Sequence, residues 1–234
     1  MIDATFASAA LEKFVGCDSD ESNAGSPECP SIWMFGIEHG ETKRNQVPEP
    51  FTGGYSISEQ LTYPYNQKAF KLLSAIEGRK VSDYKAFAEE KQPFVSGVPG
   101  YFKGNLYPFA CRNVHTWPTY AALETGTNDK REYQVWCRQF RLPTLKRWID
   151  EYGPKLFIGV GIGCRDEFVQ AVFGESASLT EHRICVGDYQ KRVFSHVSQA
   201  ITLVVVPHFS GANGLNSDDS IQQVGTLIAG LIPA

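Results

Sequence analysis

The chain has 234 residues and a formal net charge of −4, with 42% hydrophobic and 21% charged residues. That composition is globular and excludes a disordered, collagen-like or disulfide-scaffold chain; the acidic balance argues against a general nucleic-acid coat, though a local basic face stays open. No apolar stretch approaches the roughly 20 residues that cross a bilayer, and Asp3 and Glu12 interrupt the first segment, so neither a membrane span nor a secretory signal is expected.

In chain order, residues 2–15 read as a weakly periodic helix and 16–30 as loop. Ser31 to Ile37 (SIWMFGI) is a short apolar run after Pro30, which predicts a buried strand. Residues 40–66 form a long loop rich in Pro and Gly that still carries Phe51, Tyr55, Tyr63 and Tyr65; such loops are commonly functional. A helix over 67–77 closes at Gly78, and another spans 82–91. Tyr101 to Pro108 predicts a second strand, and 133–152 a helix broken near Pro143.

Lys155 to Gly161 (KLFIGVG) predicts a third buried strand, followed by a helix over 165–173. Residues 183–186 and 190–197 alternate as a short strand pair around Gly187-Asp188. Ile201 to Val206 is the most hydrophobic strand. The final helix starts after Ser217, with Asp218 and Asp219 favouring its positive end.

Near-continuous apolar strands alternating with helices imply one α/β domain with a mostly parallel sheet covered on both sides. Ligands on such sheets bind beyond the carboxyl ends of the strands. Three strand ends carry polar groups: Glu38 and His39 between Gly36 and Gly40, Asn105 after Gly104, and His208 within Pro207-His208-Phe209-Ser210-Gly211. Each has a plain alternative as an ordinary turn residue, and a lone His is more often structural than functional. Lys43, Arg44, Lys103, Arg112, Arg138, Arg141, Lys146 and Arg147 could form a basic face, or simply a solvated one.

The cysteines, Cys17, Cys29, Cys111, Cys137, Cys164 and Cys185, form no C-x-x-C pair and read as reduced thiols in a cytoplasmic protein. A metal site from Glu38, His39 and His208 lacks paired spacing. Gly159, Gly161 and Gly163 follow a strand, but Cys164 and Asp166 break the dinucleotide fingerprint, and no G-x-S-x-G is present.

Gly36-Ile37-Glu38-His39-Gly40, Asn105 and Pro207-His208-Phe209-Ser210-Gly211, in that order and at strand ends, resemble the motifs of the uracil-DNA glycosylase superfamily. The resemblance covers about residues 31–231 of a single 1–234 domain and implies an α/β/α sandwich around a four-stranded sheet. His39 and Phe209 replace prolines usual in the family, and Glu38 is one methylene longer than the usual Asp, which points to a divergent branch. It implies a monofunctional, cofactor-free and metal-free DNA glycosylase whose partner is DNA with a flipped base. Glu38 would face the cationic sugar, and His208 would donate to the departing base. Asn105 and His39 would read the base, with Phe51 or Tyr55 stacking on it. Ser210, Gly211, Ala212 and Leu215 would enter the DNA as a wedge loop. The alternatives are a non-catalytic nucleic-acid-binding or sensor domain of the same fold, and a small-molecule nucleotide-binding enzyme.

Overall fold

A computed structural model describes residues 1–40, 55–111, 115–175 and 177–233. Six strands form one sheet: β1 (Ile32–Gly40), β2 (Tyr101–Cys111), β3 (Leu156–Val160), β4 (Thr180–Val186), β5 (Tyr189–Val197) and β6 (Thr202–Val206), in the spatial order β2-β1-β3-β6-β5-β4. The first four places are parallel; β5 runs antiparallel to β6, and β4 antiparallel to β5. The expected sheet of four strands is therefore extended. The predicted strand pair does not stand apart but joins the edge of β6, because Phe194 to Val197 align with Thr202 to Val205.

The parallel strands are apolar on both sides, so each face needs a cover. Trp33, Phe35, Phe157 and Val205 pack on one face with Leu145, Trp148 and Ile149 of the helix Leu142–Tyr152 and Phe168 of the helix Arg165–Phe173. Met34, Ile158 and Val204 pack on the other with Phe70 and Leu73 of the helix Pro64–Ile76 and with Ile221, Val224 and Ile228 of the helix Asp218–Leu231. No helix among the described residues is long and apolar enough to cross a membrane.

Pro143 does not break its helix as expected. Lys130–Trp136 and Leu142–Tyr152 run into each other through a π-helical turn, Cys137–Arg141, which absorbs the hydrogen bond that proline cannot donate.

That turn delivers Arg141 into the interior with no exposed surface. Its Nη1 donates to the Ala10 carbonyl at 2.9 Å and its Nη2 to the Val15 carbonyl at 2.6 Å, while the guanidinium lies 4.5 Å from the Trp148 ring centroid. Lys103 is also buried, so neither can belong to the basic face anticipated from sequence. Arg138 pairs with Glu167 and Lys146 with Asp150; Lys43, Arg44 and Arg112 lie outside the described residues.

Replacing Arg141 with Met should leave both carbonyls without partners at about 1–3 kcal/mol each. Thermal unfolding should report that loss, and limited proteolysis should cut the first 20 residues faster than the rest of the chain. Unchanged cutting would mean that the N-terminal segment is held by its apolar contacts alone.

Candidate active site

The strand order places a topological switch between β1 and β3: the chain continues from β1 outward to β2, and from β3 in the other direction to β6. A crevice opens at such a point beyond the carboxyl ends of the strands. Pairing fixes the levels. Gly36 is level with Asn105, and Phe35, Gly159 and Val205 share the preceding row. Glu38 thus lies two residues beyond the row of Gly36, and His208 two residues beyond the corresponding Val206. Two strand spacings separate β1 from β6, about 10 Å.

Between them β3 ends without a large side chain at Gly161. This residue has φ +131°, and a Cβ there would approach Ile37 Cδ1 to 2.7 Å. Glycine therefore both permits the turn and lets the Ile37 side chain pack against the end of β3.

Strand β1 runs to Gly40, so Glu38 and His39 are strand residues and not part of the following loop. Pairing with β2 becomes irregular between Glu38 and Gly40. The two neighbouring side chains take different partners.

Glu38 is buried to 4% exposure beside Lys130, whose Nζ donates to Oε1 at 3.0 Å; Oε2 stands 2.9 Å from the same ammonium without hydrogen-bond geometry. Burial pushes the Glu38 carboxyl above the usual range, while the Lys130 ammonium and the Cys111 thiol act against that rise. Cys111 itself is pushed up to about 11, first by burial and then by the Glu38 charge.

His39 Nε2 lies 2.7 Å from the Gly16 carbonyl, and Nδ1 lies 3.4 Å from Asp18 Oδ1. Asn105 Nδ2 donates to the same Gly16 carbonyl at 3.2 Å. Asp18 pairs with Lys103 at 2.5 Å, and Lys103 also donates to Asn66 Oδ1 at 2.9 Å. The Asp18 carboxyl is lowered: burial works against this, but the Lys103 and His39 charges prevail. The N-terminal segment thus supplies a carbonyl and a carboxylate to a site otherwise built from strand ends.

His208 accepts from the Ser210 backbone N–H at 3.2 Å through Nδ1, with Ser210 Oγ at 2.8 Å from the same nitrogen. In the neutral ring the proton therefore sits on Nε2, which has no partner among the described residues. His208 is exposed, yet partial desolvation against the loop, then the Lys68 charge, lower its pKa, so the neutral donor is the form present at pH 7.

Tyr65, from the first turn of the helix Pro64–Ile76, links the two sides. Its ring centroid is 6.3 Å from that of His208, and its hydroxyl is 3.7 Å from the point where a Cβ on Gly36 would stand. Asn105 Oδ1 approaches the same point to 2.5 Å. Asn105, His39 and His208 are thus connected through Gly36, Gly16 and Tyr65, whereas Glu38 turns to Lys130.

Tyr55 packs against Tyr63 at 5.7 Å, and Phe51 lies outside the described residues. In the loop after β6, Ser210, Gly211 and Ala212 are exposed. Leu215 is not: it is wholly buried, its N–H donating to the His208 carbonyl at 2.8 Å, so it anchors the loop and cannot be a wedge in this conformation. All six cysteines are free thiols, and no group of three or more His, Cys, Asp or Glu side chains among the described residues could hold a metal ion.

Lys130, Asp18 and Tyr65 are the site residues that sequence reasoning passes over. Lys130 lies 92 residues from Glu38, and its only local mark is Asp129, which caps the helix that Lys130 begins. Tyr65 follows Pro64 at a helix start and looks like one more aromatic in a long loop.

A histidine with a depressed folded pKa is less protonated in the folded chain than in the unfolded one below pH 6.5. Its contribution to stability is therefore complete above that value and is lost as pH falls through the folded pKa. An NMR titration should place the His208 midpoint below 6.5, and Lys68→Met should raise it only part of the way back, since desolvation is the larger cause. A midpoint at or above 6.5 in the wild type would contradict the neutral donor.

Compared with known proteins, the chain matches no family profile and no curated sequence.

Proposed function

We propose that the chain hydrolyses the N-glycosidic bond of a nucleobase held in the crevice between β1 and β6, as a divergent DNA glycosylase acting on a flipped-out base. The observation that carries this reading is the His208 ring: neutral, with Nδ1 occupied by Ser210, it offers Nε2–H as an unshared donor beyond the end of β6, two strands from the end of β1 that carries Glu38.

Departure of a base leaves negative charge on the ring and positive charge on the sugar. A fixed neutral donor for the first and a fixed carboxylate for the second stabilise the transition state without reorganisation. Asn105 is held by Gly16 with Oδ1 turned toward the Gly36 side of the crevice, and would read the base edge. As the C–N bond breaks and the base leaves as an anion, a water placed by Glu38 would add to the anomeric carbon from the face opposite the base and give its proton to the Glu38 carboxylate. No cofactor enters this scheme.

A second reading, a binding domain without turnover, is favoured by one specific feature. Glu38 is locked to Lys130, which offsets the negative charge that a cationic sugar would need. Either way, DNA as the partner requires cations beyond those already paired at Arg138 and Lys146.

The test is single-turnover cleavage of oligonucleotides bearing damaged, mismatched and modified bases, with abasic sites revealed by alkali. On the best substrate, Glu38→Gln and His208→Ala should each lower the rate about a hundred- to a thousandfold while affinity changes little. Asn105→Ala should relax base choice. Equal rates for wild type and Glu38→Gln would remove Glu38 from the chemistry. Release of no base at all would leave the binding domain as the surviving reading. Affinity for DNA that does not fall between low and moderate salt would exclude a phosphate backbone as partner and point to a small ligand.

A further inference from the structure

We propose that Tyr65 is a ligand-contacting residue of the crevice, its phenol donating a hydrogen bond to a carbonyl oxygen of a heterocyclic base that lies between Asn105 and His208. This deepens the preceding reading in that it assumes a base in that crevice, but it does not require the base to be cleaved.

Position is the first argument. Tyr65 touches both halves of the site: its ring lies 6.3 Å from that of His208 and packs edge-on against Phe209 at 5.0 Å, and its hydroxyl reaches the Gly36 surface that Asn105 Oδ1 also approaches. Gly36 permits that close approach of Asn105, since a Cβ there would stand 2.5 Å from Oδ1.

Satisfaction is the second. The neighbouring polar groups have partners: Lys103 with Asp18 and Asn66, His39 with Gly16, Asn105 Nδ2 with Gly16, His208 Nδ1 with Ser210. The Tyr65 hydroxyl has none among the described residues, although burial and the Asp18 charge hold it firmly protonated and thus a donor. Tyr65 is half-buried and its hydroxyl keeps access to solvent, so this donor is open to a ligand acceptor.

Chemistry is the third. Two donors, the Tyr65 O–H and the His208 Nε2–H, sit on rings 6.3 Å apart beside the ends of β1 and β6, and a ring that presents carbonyl oxygen suits them. A ring with only an amino group at that edge leaves both unpaired, which is how a site built on hydrogen bonds discriminates.

The ring packs between Phe209 and the Lys103 ammonium, at 5.4 Å from its centroid, so Tyr65→Phe keeps the packing and removes only the hydroxyl. Binding of the free bases uracil, hypoxanthine and adenine to the full chain would be measured by calorimetry or ligand-detected NMR, with thermal unfolding as the check on folding. Wild type should prefer uracil or hypoxanthine to adenine, which carries no carbonyl. Tyr65→Phe should weaken the carbonyl bases about tenfold and leave adenine unchanged. Binding of no base by the wild type, a preference for adenine, or equal affinities in wild type and Tyr65→Phe would each overturn the assignment. The two readings separate cleanly. Tyr65-dependent binding with no cleavage in the oligonucleotide panel supports Tyr65 and removes the hydrolase. Cleavage indifferent to Tyr65→Phe does the reverse.

Discussion

A single buried guanidinium organises the polar end of this molecule. Arg141 cannot lose its charge, and it reaches the interior only because a π turn in its helix carries it there. The Ala10 and Val15 carbonyls and the face of Trp148 offset much of its cost, while Nε has no hydrogen-bond partner among the described residues. Those carbonyls belong to the N-terminal segment, so the same bonds that satisfy the cation fix the next three residues of the chain. Gly16 then presents its carbonyl to His39 and Asn105, and Asp18 its carboxylate to Lys103. The chain of dependence runs from a proline-adjacent helix defect, through one arginine, to the orientation of an amide 36 residues earlier in the sequence.

Glu38 and His208, at the ends of β1 and β6, are shifted by the same physical cause to opposite chemical effect. Desolvation disfavours charge on both Glu38 and His208. For the imidazole this yields a neutral donor. For the carboxylate it creates a need for compensation, which Lys130 supplies at 2.9 Å. Two cations act on these groups: Lys68 adds to the lowering at His208, and Lys130 works against the rise at Glu38. Lys68 also donates to the Phe209 carbonyl at 2.6 Å, so one ammonium both holds the loop and sets the state of its histidine.

How much of this is legible in the sequence follows from the range of the interactions. The strands declare themselves because a doubly covered strand must be apolar throughout, as WMF, LFIGV and TLVVV are; the switch-point crevice follows from the alternation of such strands with helices. Glu38, Asn105 and His208 are visible because they interrupt or follow those runs. The attachment of the β4–β5 hairpin to β6 is not visible, since its alternating pattern suits an isolated hairpin as well as a sheet edge. Nor are Arg141 and Lys103 recognisable as interior residues: nothing local distinguishes them from surface cations, and only partners 37 to 131 residues away reveal their place. Leu215 fails for the opposite reason, as an apolar residue in a polar loop looks like a probe when it is an anchor.

The tie between Arg141 and residues 10–15 has a practical corollary for anyone who trims or labels this chain. Judged by its weak periodicity and its distance from the sheet motifs, the first stretch invites removal, leaving a core from about residue 31. Such a fragment would keep every strand, yet it would strip Phe6, Phe14 and Ala24 from one apolar layer, leave Arg141 without its two carbonyls, release His39 and Asn105 from their shared carbonyl and leave Lys103 without its counter-charge. A fragment weakened in this way would be a poor proxy for the whole chain, so boundary choice at this end is a functional variable.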